Sequence, residues 1–210
     1  MNAKKPKRSA EALFTFIYEN NLWGNPESVS GRGSTLKNTT AFVEQFKQLL
    51  KKLGVRTLLD AACGDFHWMK TIELDLDNYI GVDVVAAIIN ANKELYENEK
   101  RHFFHLDVIK DPLPKVDLIL CPDCLAHFSF EDGLATLENV KRSGSTYLLT
   151  TSYIDQPQNK DIETGDWRAL NLQKAPFNLP EPLVIIEEKS EELYDKERKK
   201  SLLLWKLSEL

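Results

Sequence analysis

From Thr57 to Thr151, short apolar runs alternate with stretches whose apolar residues recur at helical spacing. This alternation constrains the fold more than anything else in the chain. Parallel strands need long crossovers, the crossovers are helices, and right-handed returns place those helices on both faces of the sheet. The pattern predicts strands at Thr57–Ala61, Asn78–Val82, His102–Leu106, Val116–Cys121 and Thr146–Thr151. Between them, a helix starts over Phe66–Ile72, a second presents Val85, Ile88, Ile89, Asn92 and Leu95, and a third presents Phe130, Leu134, Leu137 and Val140. Ahead of the alternation, Leu13, Phe14, Ile17 and Tyr18 predict a short amphipathic helix over about Ser9 to Asn20. Phe42, Val43, Phe46, Leu49, Leu50 and Leu53 predict a longer one, with Gly54 as its stop signal.

After Thr151 the rhythm breaks. Residues 155–182 show little periodicity and contain Pro157, Pro176, Pro180 and Pro182 before Leu183–Glu187 resumes a strand pattern. Leu202–Leu207 reads as a last strand. The charged segment joining these two strands has no apolar helical face, so they pair antiparallel at the edge of the sheet. A loop as long as 155–182 inside a compact domain is uncommon and is a candidate lid or binding loop. The organisation expected is a helical cap segment, 1–53, packed on an α/β domain, 54–210, with 155–182 inserted in it.

The 210 residues, 42% hydrophobic and 28% charged, suit one such domain and a substantial core. A net charge of −5 disfavours a broad nucleic-acid face, which relies on clustered Lys and Arg. The patch Lys4-Lys5-Pro6-Lys7-Arg8 is the exception and reads as a solvated, disordered tail. No apolar run reaches membrane-spanning length, and the N-terminus lacks the apolar stretch of a signal peptide. Three cysteines make no disulfide framework, so a reducing cytoplasm is the default location.

Thr57-Leu-Leu-Asp-Ala-Ala-Cys-Gly-Asp-Phe66 feeds a strand into a small-residue turn, and Tyr79-Ile-Gly-Val-Asp83 ends the next strand in a carboxylate. Such a pair can hold a nucleoside: the turn lets backbone approach the ligand, and the acid accepts from ribose hydroxyls. The dinucleotide glycine fingerprint is incomplete, because Ala62 and His67 occupy the glycine places either side of Gly64. That loss disfavours a pyrophosphate and suits a nucleoside without phosphate, such as S-adenosylmethionine, with its methionine part along the turn. Asp107, ending Phe104-His-Leu-Asp-Val108, can accept from the adenine amino group. Any one of these acids can instead cap the helix or turn after it, but three at successive strand ends favour the nucleoside. The candidate cofactor residues are Asp60, Ala62, Cys63, Gly64, Asp65 and Trp68, then Asp83 and Val84, then Asp107 and Val108.

Leu58-Leu-Asp-Ala-Ala-Cys-Gly-Asp65, Gly81-Val-Asp83, His105-Leu-Asp107 and Asp117-Leu-Ile-Leu-Cys121 resemble the motifs of class I S-adenosylmethionine-dependent methyltransferases. More narrowly, the chain resembles a small bacterial-type subgroup without an assigned substrate. The resemblance rests on Ser30-Gly-Arg-Gly-Ser34, Cys63-Gly-Asp65 with Trp68-Met69, Asp123-Cys-Leu-Ala-His127, and Asn159-Lys-Asp-Ile-Glu-Thr-Gly-Asp-Trp-Arg168 with Leu170-Asn-Leu172. Ala62 and Pro122 depart from that subgroup's usual Pro and Arg. The resemblance implies a Rossmann-like, doubly wound, seven-stranded mixed sheet of order 3-2-1-4-5-7-6 with strand 7 antiparallel, which agrees with the reading of the C-terminus.

In that family the segment Cys121-Pro-Asp-Cys-Leu-Ala-His127 faces the transferred methyl. Asp123 or His127 can take a proton from a hydroxyl nucleophile, although His127 also reads as a structural residue in a first helical turn. Cys63, Cys121, Cys124 and His127 invite a zinc reading, yet Cys63 belongs to the cofactor turn, and buried apolar cysteines with no metal are expected. Arg32 reads equally as part of a Gly-rich turn and as a clasp for the methionine carboxylate. Trp23 reads as a loop anchor or a stacking residue. Asn159, Trp167, Arg168 and Asn171 are polar enough to contact a polyhydroxylated substrate from a lid, or to knit a surface loop. The expected activity is methyl transfer from S-adenosylmethionine to a small polar acceptor, favouring a sugar or glycoconjugate hydroxyl. The alternatives are a protein side chain as acceptor, a binding module without catalysis, and a nicotinamide reductase.

Overall fold

At the centre of the chain's computed structural model lies β1 (Thr57–Ala61), four of whose five residues are buried. The structure describes residues 9–188 and 199–210, so the basic patch at 4–8 and most of the charged segment before the last strand lie outside it. The other strands are β2 (Asn78–Asp83), β3 (Arg101–His105), β4 (Leu118–Cys121), β5 (Tyr147–Tyr153), β6 (Val184–Glu187) and β7 (Lys200–Lys206). They form one sheet of order β3-β2-β1-β4-β5-β7-β6. The pairs among β1 to β5 are parallel, and β7 runs antiparallel to both β5 and β6. This is the expected topology.

Alternation along β1 sends Leu59 and Ala61 to one face of the sheet and Leu58 to the other, and a separate core cluster forms on each face. The helices α1 (Ala10–Glu19), α2 (Leu36–Leu53), α3 (Ala86–Tyr96) and α4 (Phe130–Arg142) cover them. Phe14 and Ile17 of α1 join the first cluster with Leu137 and Val140 of α4; Phe42, Phe46, Leu49 and Leu50 of α2 join the second. Gly54 ends α2 in the left-handed conformation at φ 65°, as its position past the last apolar residue predicts. Among the described residues no helix is long and apolar enough to cross a membrane.

Three expectations of local structure need correction. No α-helix follows β1; only a 3-10 turn, Met69–Thr71, forms there. Phe66, Trp68 and Met69 all sink into the second cluster while Lys70 and Thr71 stay exposed, and tertiary packing overrides the helical spacing of the segment. Leu95 is 66% exposed, and Tyr96 packs against the second cluster in its place. Leu134 is also exposed, and it is Gly133 that α4 turns toward the Phe177 ring, where a Cβ would stand 3.1 Å away.

Between β5 and β6 the chain forms no helix or strand, yet it is not a surface excursion. Leu170 and Leu172 are buried in the first cluster. The Tyr153 amide donates to the Leu170 carbonyl at 2.9 Å, and the Leu172 amide to Ser152 Oγ at 3.0 Å. Part of this segment is therefore core.

Candidate active site at the carboxyl edge of the sheet

The turn after β1 is wound by three left-handed residues, Ala62, Gly64 and Phe66, with φ of 62°, 54° and 56°. Only at Gly64 is a side chain excluded sterically: a Cβ there would lie 1.9 Å from Ser30 Oγ. The turn is held by Asp83 at the end of β2. Asp83 Oδ2 accepts from the Gly64 amide at 3.0 Å, and Oδ1 from the Val85 amide at 2.9 Å. Burial raises the pKa of Asp83 while these backbone donors oppose the rise. Asp60 is more enclosed. Its pKa is pushed up to about 7 by burial, with Asp83 adding to the rise and the Tyr79 hydroxyl, donating at 2.6 Å, opposing it.

Asp107, just beyond β3, accepts from the Ile109 amide at 3.0 Å through Oδ1, and Lys110 Nζ lies 3.3 Å from its Oδ2. Parallel registry aligns these ends: Ala61 pairs with Val82, and Asp83 with His105. The three acids and their neighbours Val84 and Val108 all line one cavity of about 540 Å³, with Ala62, Cys63, Gly64, Trp68 and Arg32. That volume suits a ligand of nucleoside size or larger.

Asp65 goes elsewhere. Its carboxylate accepts from Ser28 Oγ at 2.9 Å, the Val29 amide at 3.0 Å and Ser30 Oγ at 3.1 Å, and its amide donates to Ser30 Oγ at 3.2 Å. His67, in the third glycine place, pairs with Glu27 at 2.9 Å. Both residues fasten the loop before α2 onto the turn, and neither is among the residues lining the cavity. The loop lays Arg32 and Gly33 over the site; a Cβ on Gly33 would stand 2.8 Å from Asp123 Oδ2.

The far end of the cavity is built from distant parts of the chain. Asp123, left-handed at φ 56°, donates its amide to Thr151 Oγ1 at 2.9 Å. His127 Nδ1 lies 2.9 Å from the Asp166 carbonyl oxygen. A carbonyl only accepts, so Nδ1 carries the proton and Nε2 is left with the lone pair. Burial lowers the His127 pKa, against the Asp166 hydrogen bond and the charge of Asp123, which raise it. Trp23 stacks obliquely on His127 at 5.2 Å between centroids, and Trp167 meets Tyr153 edge-on at 6.0 Å. Phe14 and Tyr18 of α1, with Phe128, complete the apolar wall. The late loop closes against α1, where Gly165 leaves just enough space for Leu13.

Of the late-loop candidates only Trp167 lines the cavity. Asn159 Nδ2 donates to the carbonyls of Asn171 and Ala175 at 2.8 and 2.9 Å, and its Oδ1 accepts from the Asn171 amide at 2.8 Å. Asn171 Nδ2 reaches Gln156 O at 3.0 Å. The Arg168 guanidinium donates to the Phe128 carbonyl and lies over the Phe130 ring. These three residues knit the loop rather than face a ligand. Cys63 belongs to one core cluster, and Cys121 and Cys124 to the other.

Lys200 and Glu188 were not foreseen. Lys200 Nζ sits 2.6 Å from Asp123 Oδ2 and 2.8 Å from Glu188 Oε2, and all three residues line the cavity. In the sequence Lys200 ends the run Lys196-Glu-Arg-Lys-Lys200, which looks solvated. Only its pairing opposite Tyr153, at the carboxyl end of β5, marks it.

No family model matches the chain, and no curated protein matches it in sequence. Solved structures do match in shape. Magnesium protoporphyrin IX methyltransferase from Synechocystis PCC 6803, with bound S-adenosylmethionine, is 12% identical and aligns with a TM-score of 0.61 over 97% of this chain and 99% of that one. The fold is that of the class I S-adenosylmethionine-dependent methyltransferases. An S-adenosylmethionine-dependent methyltransferase from Clostridium acetobutylicum is 14% identical, with a TM-score of 0.58 over 92% of this chain and 97% of that one. Human N-acetylserotonin methyltransferase, in complex with S-adenosylmethionine, is 15% identical, with a TM-score of 0.61 over 94% of this chain and 59% of its own.

Proposed function

We propose that this chain is an S-adenosylmethionine-dependent methyltransferase that methylates a hydroxyl of a sugar or glycoconjugate. One observation carries the reading: a single cavity runs from Asp83 and Asp107 at the strand ends to His127, Asp123 and two tryptophans. At the first end Asp83, oriented by two backbone donors, takes the ribose hydroxyls, and Asp107 takes the adenine amino group. Arg32 and the turn at 62–64 hold the methionine part, beside Asp60. The close approach that Gly64 permits, and the absence of a pyrophosphate fingerprint, fit this ligand and not a dinucleotide.

When bound, S-adenosylmethionine supplies an electrophilic methyl group whose bond to sulfur breaks as the acceptor oxygen attacks, the electron pair remaining on sulfur. The chain supplies position and a proton acceptor. Trp23 and Trp167, both part-exposed, offer faces to the C–H surface of a pyranose, and nearby carboxylates accept hydrogen bonds from its hydroxyls. His127, with Nδ1 committed to Asp166, offers Nε2 to the acceptor proton.

Calorimetry with S-adenosylmethionine, followed by transfer of labelled methyl into fractionated carbohydrate and protein pools, tests this. Binding and label in the carbohydrate fraction are expected. Label confined to protein would replace the acceptor class, and binding without turnover in any pool would reduce the chain to a cofactor-binding module.

A further inference from the structure

Asp123 and His127 both reach the acceptor end, but they are not equivalent. Asp123 Oδ2 meets the Lys200 ammonium at 2.6 Å, and Gly33 comes so near the same oxygen that a Cβ there would stand 2.8 Å from it. Lys200 is held from its other side by Glu188 at 2.8 Å, and the Lys200 and Glu188 side chains are each 8% exposed. An ammonium so enclosed is costly unless carboxylates meet it, and removing it would leave two acids facing each other. The His127 ring, in contrast, has its one lone pair on Nε2, unclaimed by the Asp166 carbonyl.

We propose that Lys200 is a positioning residue for methyl transfer: by binding Asp123 and Glu188 together it withdraws Asp123 from proton transfer and leaves His127 to take the acceptor proton. The proposal rests on the methyltransferase reading above. In the step, the acceptor O–H bond breaks and its proton passes to His127 Nε2. The oxygen's electron pair bonds the methyl carbon, and the pair of the broken carbon–sulfur bond stays on sulfur.

The charged groups around His127 come from several elements. Asp123 shares its turn, Lys200 comes from β7, Glu188 follows β6, and Asp166 and Arg168 come from the late loop. Burial lowers the ring's proton affinity most, Asp123 raises it, and Lys200 and Arg168 lower it.

The test is a titration of the ligand-free full chain with labelled histidine, followed by NMR. There are four histidines, and His127→Gln assigns the signal. Lys200→Met should raise the His127 midpoint by about half a unit or more, as loss of a nearby cation in a partly buried site requires. Lys200→Arg should restore the wild-type midpoint. If Lys200→Met does not fold, Asp123→Asn carries the test with the opposite sign, lowering the midpoint. With an acceptor in hand, the acid limb of kcat/KM should follow the same shifts. An active enzyme whose His127 midpoint ignores these substitutions overturns the role of Lys200 alone. A wild-type chain that transfers no methyl overturns the methyltransferase reading and the role of Lys200 with it.

Discussion

The two ends of the cavity are made differently. The end proposed for the nucleoside is local: strand ends β1, β2 and β3, each followed at once by its turn, with Asp83 fixed by the backbone of Gly64 and Val85. The end proposed for the acceptor is assembled from α1, the loop before α2, the turn after β4, the late loop and β7, joined by side-chain pairs such as Lys200 with Asp123 and Trp23 with His127. The first end depends on backbone geometry, which changes little when surface residues change. The second depends on side chains that can be replaced one at a time. A fold built this way keeps its cofactor site while its acceptor varies.

Gly64→Ala should show the largest effect. It forces a Cβ onto Ser30 Oγ in a left-handed residue and should cost about 2–5 kcal/mol in denaturant unfolding. Unchanged stability would show that the nucleoside turn is not locked to the N-terminal loop.

Asp60 gives the next largest effect. Its folded value of about 7 lies above the unfolded value of about 3.9. Its contribution to stability is therefore fully present below about pH 4 and lost as pH rises through about 7, by roughly 1.4 kcal/mol per pH unit between. Asp60→Asn keeps an acceptor for Tyr79 and should flatten that slope in urea unfolding. Parallel wild-type and variant curves from pH 5 to 7 would contradict the burial of this charge.

Asp83→Ala leaves the Gly64 and Val85 amides unmet and should weaken S-adenosylmethionine binding by about 1–3 kcal/mol, read by calorimetry. Acceptor KM should stay put, which separates the two ends. Trp167→Ala should do the reverse and by less, raising acceptor KM by a factor worth about 0.5–1.5 kcal/mol while cofactor affinity holds. If both constants move together in either variant, the ends are not independent.

That Asp60, Asp83 and Asp107 meet around one cavity was legible because each sits at the end of a strand followed directly by its turn, and the order of those strands follows from the alternation. The segment after β1 misled because Phe66, Trp68 and Met69 carry helical spacing yet all face one aromatic cluster. Asn159 and Asn171 read two ways in the sequence, because a polar side chain looks the same whether it meets a ligand or a loop carbonyl; in the structure they meet loop carbonyls. For Asp65, its neighbours in sequence place it in the cofactor turn, but its hydrogen-bond partners come from residues 28–30, which local pattern does not show.

The sequence by itself determined the strands, the antiparallel return of β7 and the acids at the strand ends, because hydrophobic periodicity and turn chemistry act over a few residues. Tertiary structure alone decided that Lys200 is buried between Asp123 and Glu188, and that α1 and the late loop close one wall of the cavity. The Lys200–Asp123 contact alone joins residues 77 positions apart, and which side chains meet at that range is set by strand register and packing, not by local pattern.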